Sequence, residues 1–282
     1  MPELPELQAL VEGLGPAVAG RRIEAVRVWQ PAAVKSAEPP LEALVGRTLD
    51  GAWRRGKVIG LDAGDLTLVI HLMQAGRLGL TATAARRPAR TACLSLVLDG
   101  EEELRLRELS TEHRASAHLL EPAALAAHGP LARLGPAPLG LDADAWRAAL
   151  RDPPARLHTA LREGRRVAGI GRAYATEIMW AGRLAPFART DRLDDEEWER
   201  LARAADTVLG QALERARERI GADLPDRERR VTAAHGHAGE PCLRCGTALA
   251  RVSFSGYELV YCPRCQTGGR VYADRRTSRF LR

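Results

Sequence analysis

The N-terminal hexapeptide MPELPE offers an uncommon nucleophile. A small second residue permits removal of Met1, which would leave Pro2 with a free secondary amine. An α-amino group has a pKa of about 8, so a useful fraction is uncharged at neutral pH, unlike a lysine amine. A secondary amine that attacks the C1′ carbon of a sugar forms an iminium and activates the neighbouring C–H bond. The simpler interpretation is a proline that precedes a helix.

Four of the five cysteines form two Cys-x2-Cys pairs near the C-terminus, sixteen residues apart. Two such pairs can hold one Zn²⁺ ion with tetrahedral geometry, and four thiolates leave no open coordination position. We therefore predict one structural zinc ion, with a pair of redox-active dithiols as the alternative. The expected ligands are Cys242, Cys245, Cys262 and Cys265. The fifth cysteine, Cys93, lies within an apolar run and is expected in the core.

The charge balance fits a polyanionic partner. The net charge is +6 and the isoelectric point is near 9.4, values typical of many nucleic-acid-binding proteins and of some others. Only Lys35 and Lys57 are lysines among 42 basic residues. A lysine kept in such an arginine-rich chain either serves amine chemistry or survives by chance. Neither a signal-peptide pattern nor a long apolar run is visible, so we expect a cytoplasmic protein without a membrane partner.

The elements that would position these residues change along the chain. Residues 5–14 have apolar side chains at helical spacing, and Gly13, Gly15 and Pro16 are expected to end this helix. From about 21 to 120, short apolar runs between turn signals predict antiparallel strands in a sandwich or barrel. A Pro/Gly/Ala-rich passage follows, and the pattern then becomes helical before the cysteine-rich end.

Several short motifs, taken together, give the chain an end-to-end resemblance to the formamidopyrimidine-DNA glycosylase/endonuclease VIII family. The motifs are the MPELPE start, RRGK at 54–57, His71-Leu72 with Gly76-Arg77, VAGIG at 167–171, GEPC at 239–242 and CPRCQ at 262–266. Each motif is modest alone, but their order and spacing are specific. The resemblance implies a multidomain α and β protein that binds DNA in a cleft between its lobes.

The domains implied by the resemblance can be given bounds on this sequence. We predict an N-terminal catalytic antiparallel β-sandwich with a leading helix over 1–125 and a linker over 126–139. A helix–two-turns–helix DNA-binding domain over 140–225 and a zinc finger with a basic tail over 236–282 complete the chain.

The resemblance also implies roles for individual residues. Pro2 would be the Schiff-base nucleophile, Glu3 the acid that protonates the leaving group, and Glu6 a residue that orders this site. Lys57 would contact phosphate and assist β-elimination. The glycine turn ending at Gly171 would present backbone N–H groups to a phosphate. The expected DNA-binding residues are Lys57, Gln74, Arg77, Gly171, Arg172 and Tyr257.

The chain departs from the family pattern at positions that affect the substrate. Arg172 stands where the family has Asn, and Tyr257 where it has the zinc-hairpin arginine that assists δ-elimination. Gln74 aligns with the void-filling Met of the formamidopyrimidine branch, and glutamine is the choice of the endonuclease VIII branch. The family run DPRRFG is replaced by RELSTEHRA, and the segment before the zinc finger reads LPDRERRVTAAHG. We therefore expect oxidised pyrimidines or a bulkier adduct as substrate, not 8-oxoguanine.

Together these features predict a monomeric DNA repair glycosylase with AP-lyase activity, which flips a damaged nucleotide out of double-stranded DNA and acts at the nucleoid. The first alternative is a relative of the same fold that binds abasic or distorted DNA without chemistry. The second, a zinc-ribbon transcription or translation factor, leaves the N-terminal motif unexplained.

Overall fold

The computed structural model describes residues 1–83, 91–227, 230–254 and 257–272. The chain forms two compact units, the first built from 1–134 with 213–229 and the second from 135–212 with 230–282. The predicted basic tail beyond residue 272, and residues 228–229 of the segment before the zinc finger, lie outside the described residues.

The first unit begins with helix α1, Leu4–Val18, whose buried face includes Leu7, Leu10 and Leu14. This helix is longer than the sequence predicted, because it continues through Pro16 to Val18. Gly13 does not end the helix but permits a close approach. A Cβ atom there would lie 2.4 Å from the carbonyl oxygen of Gly221, so the absence of a side chain lets α1 pack against that backbone.

Two four-stranded antiparallel sheets form the β-sandwich of the first unit. Alternating apolar residues point into a common core that includes Ile59, Ile70, Leu96 and Leu106. Cys93 is 1% exposed in this core, as predicted. One sheet has the order β1 (Ile23–Val28), β6 (Ala92–Leu98), β7 (Glu102–Glu108), β5 (Gly76–Ala82); the other has the order β2 (Gly51–Arg55), β3 (Val58–Ala63), β4 (Leu66–His71), β8 (Ser116–Leu120).

Two short helices follow the sandwich, α2 (Pro122–Ala127) and α3 (Gly129–Ala132). Leu131 of α3 packs with Val58 and Val69 on the β2–β3–β4–β8 sheet. The boundary between the two units, after Leu134, falls within the predicted linker 126–139.

The second unit is helical and carries a small hairpin. Its helices are α4 (Ala143–Leu150), α5 (Leu157–Arg162), α6 (Arg172–Ala181) and α7 (Asp195–Arg217), of which residues 213–217 belong to the first unit. Its hairpin consists of β9 (Ala250–Phe254) and β10 (Tyr257–Tyr261), followed by α8 (Pro263–Thr267). Trp146 and Trp198 are fully buried in its core, together with Leu259 and Tyr261 of the hairpin. Of the helices that the structure describes, none is both long and apolar enough to span a bilayer.

Candidate active site

The N-terminal residues form a tight local structure at the start of α1. Glu3 is the N-cap residue, and its backbone N–H donates to Glu6 Oε2 at 2.9 Å, one half of a capping box. Pro2 is buried, and the Glu3 and Glu6 side chains are only 3% and 4% exposed. Two carboxyl groups are thus buried at the start of α1, one on the residue that follows Pro2 and one a helical turn further along.

Lys57 lies in the two-residue turn between β2 and β3, where Arg55 pairs with Val58. Gly56 makes this turn possible because its φ of 59° lies in the left-handed region. Arg54 connects the turn to α1: it donates to the carbonyl oxygen of Gly56 at 2.8 Å and to Gln8 Oε1 at 3.1 Å. The turn that carries Lys57 is therefore connected to the helix that begins at Leu4, two residues after Pro2.

His71, which belongs to one of the family motifs, lies near enough to Lys57 to interact with its charge. It ends strand β4, opposite Val58. Its Nδ1 atom accepts from the backbone N–H of Met73 at 3.3 Å. Burial, and secondarily the charge of Lys57, lower the pKa of His71. The sequence signal that could have singled it out is its position directly before the Gln74 turn.

Gln74 lies exposed at the tip of the turn between β4 and β5. The turn is closed by a hydrogen bond from Gly76 N to Leu72 O at 2.7 Å. The N–H of Leu109 donates to the carbonyl oxygen of Ala75 at 3.0 Å, which brings Leu109, 37% exposed, beside this turn. A polar and an apolar side chain thus extend from neighbouring loops.

Arg77, predicted to bind DNA, is buried and hydrogen-bonded to a distant part of the chain. Its side chain is buried, and its guanidinium donates to the carbonyl oxygens of Pro225 at 2.8 Å and Asp226 at 3.0 Å. These contacts, with residues nearly 150 positions away, give Arg77 a structural role in holding the 225–226 segment. Contact with DNA is not needed to explain this arginine.

In the second unit, Gly171 is the N-cap residue of α6 and Arg172 is the first residue of that helix. Tyr257 begins strand β10, and the Cζ atom of Arg172 lies 5.7 Å from the centroid of its ring. The two positions at which the chain departs from the family pattern are therefore neighbours. A helix N-terminus, a guanidinium and an aromatic ring together suit an anionic ligand.

The four predicted zinc ligands meet in the second unit. The Sγ atoms of Cys242, Cys245, Cys262 and Cys265 all lie within 4.8 Å of one another. Sulfur atoms arranged tetrahedrally about Zn²⁺ at about 2.3 Å are roughly 3.8 Å apart, so the cluster has the right size. Gln266 supports it by accepting from the N–H of Cys262 at 2.8 Å and donating to Leu184 O at 2.9 Å. This arrangement is a closed structural zinc site.

A buried carboxylate holds the segment that leads into the zinc finger. Glu177 on α6 accepts hydrogen bonds from the backbone N–H groups of Ala233 at 2.8 Å, Ala234 at 3.0 Å and His235 at 2.7 Å. The Glu177 side chain is 6% exposed. Three charge-assisted bonds in a largely dry environment fix this segment against α6.

Three family models match the chain in order. They describe the formamidopyrimidine-DNA glycosylase N-terminal domain over residues 1–112, the formamidopyrimidine-DNA glycosylase H2TH domain over 134–223, and the zinc finger found in FPG and IleRS over 239–268.

Whole proteins and solved structures match over the same length. The formamidopyrimidine-DNA glycosylase of Geobacter sulfurreducens is 33% identical over 275 residues, covering 94% of this chain and 100% of the relative. That of Thermomicrobium roseum is 35% identical over 291 residues, covering 94% and 99%. A Lactococcus lactis FPG mutant in complex with Fapy-dG containing DNA superposes with a TM-score of 0.84 at 25% identity, covering 94% of this chain and 100% of that one.

Proposed function

The chain belongs to the formamidopyrimidine-DNA glycosylase family, and from that premise we propose that Pro2 is the nucleophile with which it excises a damaged base. The family membership makes the protein a DNA-binding base-excision repair glycosylase with AP-lyase activity and a structural zinc finger. The observation that carries the assignment of the nucleophile is the placement of Pro2 beside two buried carboxyl groups at the start of α1.

The proposed reaction begins after removal of Met1. The lone pair of the Pro2 nitrogen forms a bond to C1′ of the damaged nucleotide, and the C1′–base bond breaks with its electron pair leaving on the base. Glu3, in its protonated form, supplies the proton that the leaving group requires. Glu6, which accepts from the N–H of Glu3, positions that acid.

Lys57 acts in the second half of the reaction. After the base has left, the Pro2 nitrogen gives up its proton, the C1′–O4′ bond of the sugar ring breaks, and O4′ takes up a proton, which leaves an iminium at C1′. This iminium acidifies the C2′–H bond, and loss of that proton breaks the C3′–O bond and expels the 3′ phosphate by β-elimination. Lys57 contacts a backbone phosphate and assists this step, and Arg54 holds its turn through the carbonyl oxygen of Gly56. Hydrolysis of the iminium then returns the Pro2 amine.

The substrate is proposed to be an oxidised pyrimidine or a bulkier adduct in double-stranded DNA, bound by a monomer at the nucleoid. Gln74, exposed on its turn, would fill the space left by the flipped nucleotide, and glutamine is the residue type that the endonuclease VIII branch uses for this purpose. Leu109, beside the same turn, would support the stacked bases. With Tyr257 in place of the zinc-hairpin arginine, cleavage is proposed to stop at the β-elimination aldehyde.

Borohydride trapping on abasic-site duplex DNA tests the proposal. We expect a covalent adduct that mass spectrometry places on residue 2, and no normal adduct when Met1 is retained. Glu3→Gln should impair base release more than cleavage at preformed abasic sites, and Lys57→Ala should do the opposite. A panel of lesion-bearing duplexes then reports the substrate preference. Failure to trap on every duplex, with tight binding preserved, would favour the non-catalytic damaged-DNA-binding alternative.

A further inference from the structure

An arginine outside the predicted site, Arg162, lies against the same aromatic ring as Arg172. Arg162 is the last residue of α5, and its Cζ atom is 4.6 Å from the centroid of the Tyr257 ring, compared with 5.7 Å for Arg172. A guanidinium at this distance from an aromatic ring makes a cation–π contact. Two cations from two helices therefore share one tyrosine at the start of β10.

The acidic residue next to Arg162 does not neutralise it. Glu163 is engaged by Arg166, whose Nε donates to Glu163 Oε2 at 2.7 Å, and by Arg165 at 3.3 Å. Within the ranges that the structure describes, Arg162 has no hydrogen bond and no ion pair, and its ring contact is its one polar interaction. Its N–H groups are therefore available to an anion.

A neutral imidazole lies on the same tyrosine. The His158 ring is stacked near the Tyr257 ring, with centroids 6.0 Å apart and an interplanar angle of 28°. Burial, followed by the charge of Arg162, lowers the pKa of His158 to about 3, so His158 adds no third positive charge. Its Nε2 atom is buried and has no hydrogen-bond partner among the described residues.

We propose that Arg162 binds a phosphate of the DNA backbone and that Tyr257 holds its guanidinium in place for this contact. The inference rests on the proposed function, because DNA is the ligand. The ring engages the guanidinium through its π electrons and uses none of its N–H groups as hydrogen-bond donors to an oxygen, so the planar fork of N–H groups can pair with two phosphate oxygens.

The salt dependence of binding to a duplex that contains a tetrahydrofuran abasic analogue tests this contact. Each phosphate contact contributes about 0.9 to the slope of log K against log salt. Arg162→Gln and Arg162→Ala should each lower the slope by about 0.9 and weaken binding about tenfold at moderate salt. Arg203→Ala is the matched control, because Arg203 is 67% exposed and already paired with Glu199; its slope should equal that of the wild type.

Variants at the ring separate positioning from charge. Tyr257→Phe keeps the aromatic face and should bind as the wild type does, whereas Tyr257→Leu should weaken binding several-fold while keeping most of the slope. Zinc content and the thermal midpoint of each variant establish that it is folded. An unchanged slope and affinity in both Arg162 variants would overturn the phosphate contact, and wild-type binding by Tyr257→Leu would overturn the holding role of the ring. Borohydride trapping by the wild type is read separately: its failure counts against the nucleophile and not against Arg162.

Discussion

Replacement of Glu177 by glutamine should loosen the segment that leads into the zinc finger. In the native chain, Oε1 accepts from the N–H groups of Ala234 and His235, and Oε2 accepts from that of Ala233. Glutamine can keep its oxygen toward the N–H groups of Ala234 and His235, but its amide NH₂ then faces the N–H of Ala233. Both of these groups are donors, so no hydrogen bond can form between them. Hydrogen bonds to a charged acceptor contribute about 1.5–3 kcal/mol each, compared with about 0.5–1.5 kcal/mol for neutral ones.

The expected loss is therefore about 1 kcal/mol for each of the two weakened bonds and about 1–3 kcal/mol for the unsatisfied N–H. Relief from burying a charge offsets part of this loss, which leaves about 2–3 kcal/mol of net destabilisation. For a protein of this size that corresponds to a fall of roughly 4–12 °C in the thermal midpoint.

Calorimetry measures that shift, and amide hydrogen exchange at residues 233–235 reports the local loosening directly. Glu199→Gln is the control, since Glu199 is an exposed partner of Arg203 on α7, and its effect should stay within about 0.5 kcal/mol. If Glu177→Gln matches this control in both stability and exchange at 233–235, the three hydrogen bonds do not stabilise the segment and the reasoning is refuted.

Three further outcomes follow from other parts of the structure. Elemental analysis should find one zinc ion per chain, and Cys242→Ser should weaken DNA binding while circular dichroism shows the β-sandwich still folded. Burial lowers the pKa of His158 to about 3 in the folded state, compared with about 6.5 in the unfolded chain. Between these two pH values the unfolded state binds more protons, so stability falls as the pH drops. His158→Phe should therefore make the urea midpoint less dependent on pH between pH 5 and 7. Arg54→Ala should slow strand cleavage at preformed abasic sites about tenfold, because the Lys57 turn loses the arginine that links Gly56 to Gln8 of α1. Single-turnover assays would show no change if the turn keeps its position without this arginine.

The sequence predicted the features that depend on local patterns. The strands of the sandwich follow from short apolar runs between turns, and the zinc ligands follow from Cys-x2-Cys spacing. The end of α1 was predicted wrongly because Gly13 reads locally as a helix breaker. Its actual use, close packing against the backbone of Gly221, depends on a contact 208 residues away along the chain and leaves no local signal.

The same limit applies to the arginines. The motif that contains Arg77 predicts contact with DNA, and the structure adds hydrogen bonds from its guanidinium to the carbonyl oxygens of Pro225 and Asp226 that no local pattern indicated. Arg162 was missed for the same reason, since nothing within α5 indicates that Tyr257, 95 positions later, lies against it. In a chain with this many arginines, the residue type carries little information and the three-dimensional neighbours decide the role.

Lysine is the rare cation here, and the two lysines share one location, which favours a retained role over survival by chance; amine chemistry as that role stays a prediction. Chance predicts no spatial relation between them. The pKa of His71 is lowered by burial and, to a smaller extent, by the charge of Lys57. The pKa of His118 is lowered by burial and then by His128 and Lys35. His118 on β8 is the cross-strand partner of Val69, which lies two residues before His71 on β4. Because side chains alternate between the two faces of a sheet, the imidazoles of His71 and His118 lie on the same face. Both lysines therefore border one group of imidazoles. A lysine amine is a compact point charge on a flexible stem, whereas an arginine would bring a larger planar guanidinium to the same place, so the two residue types are not interchangeable beside these rings.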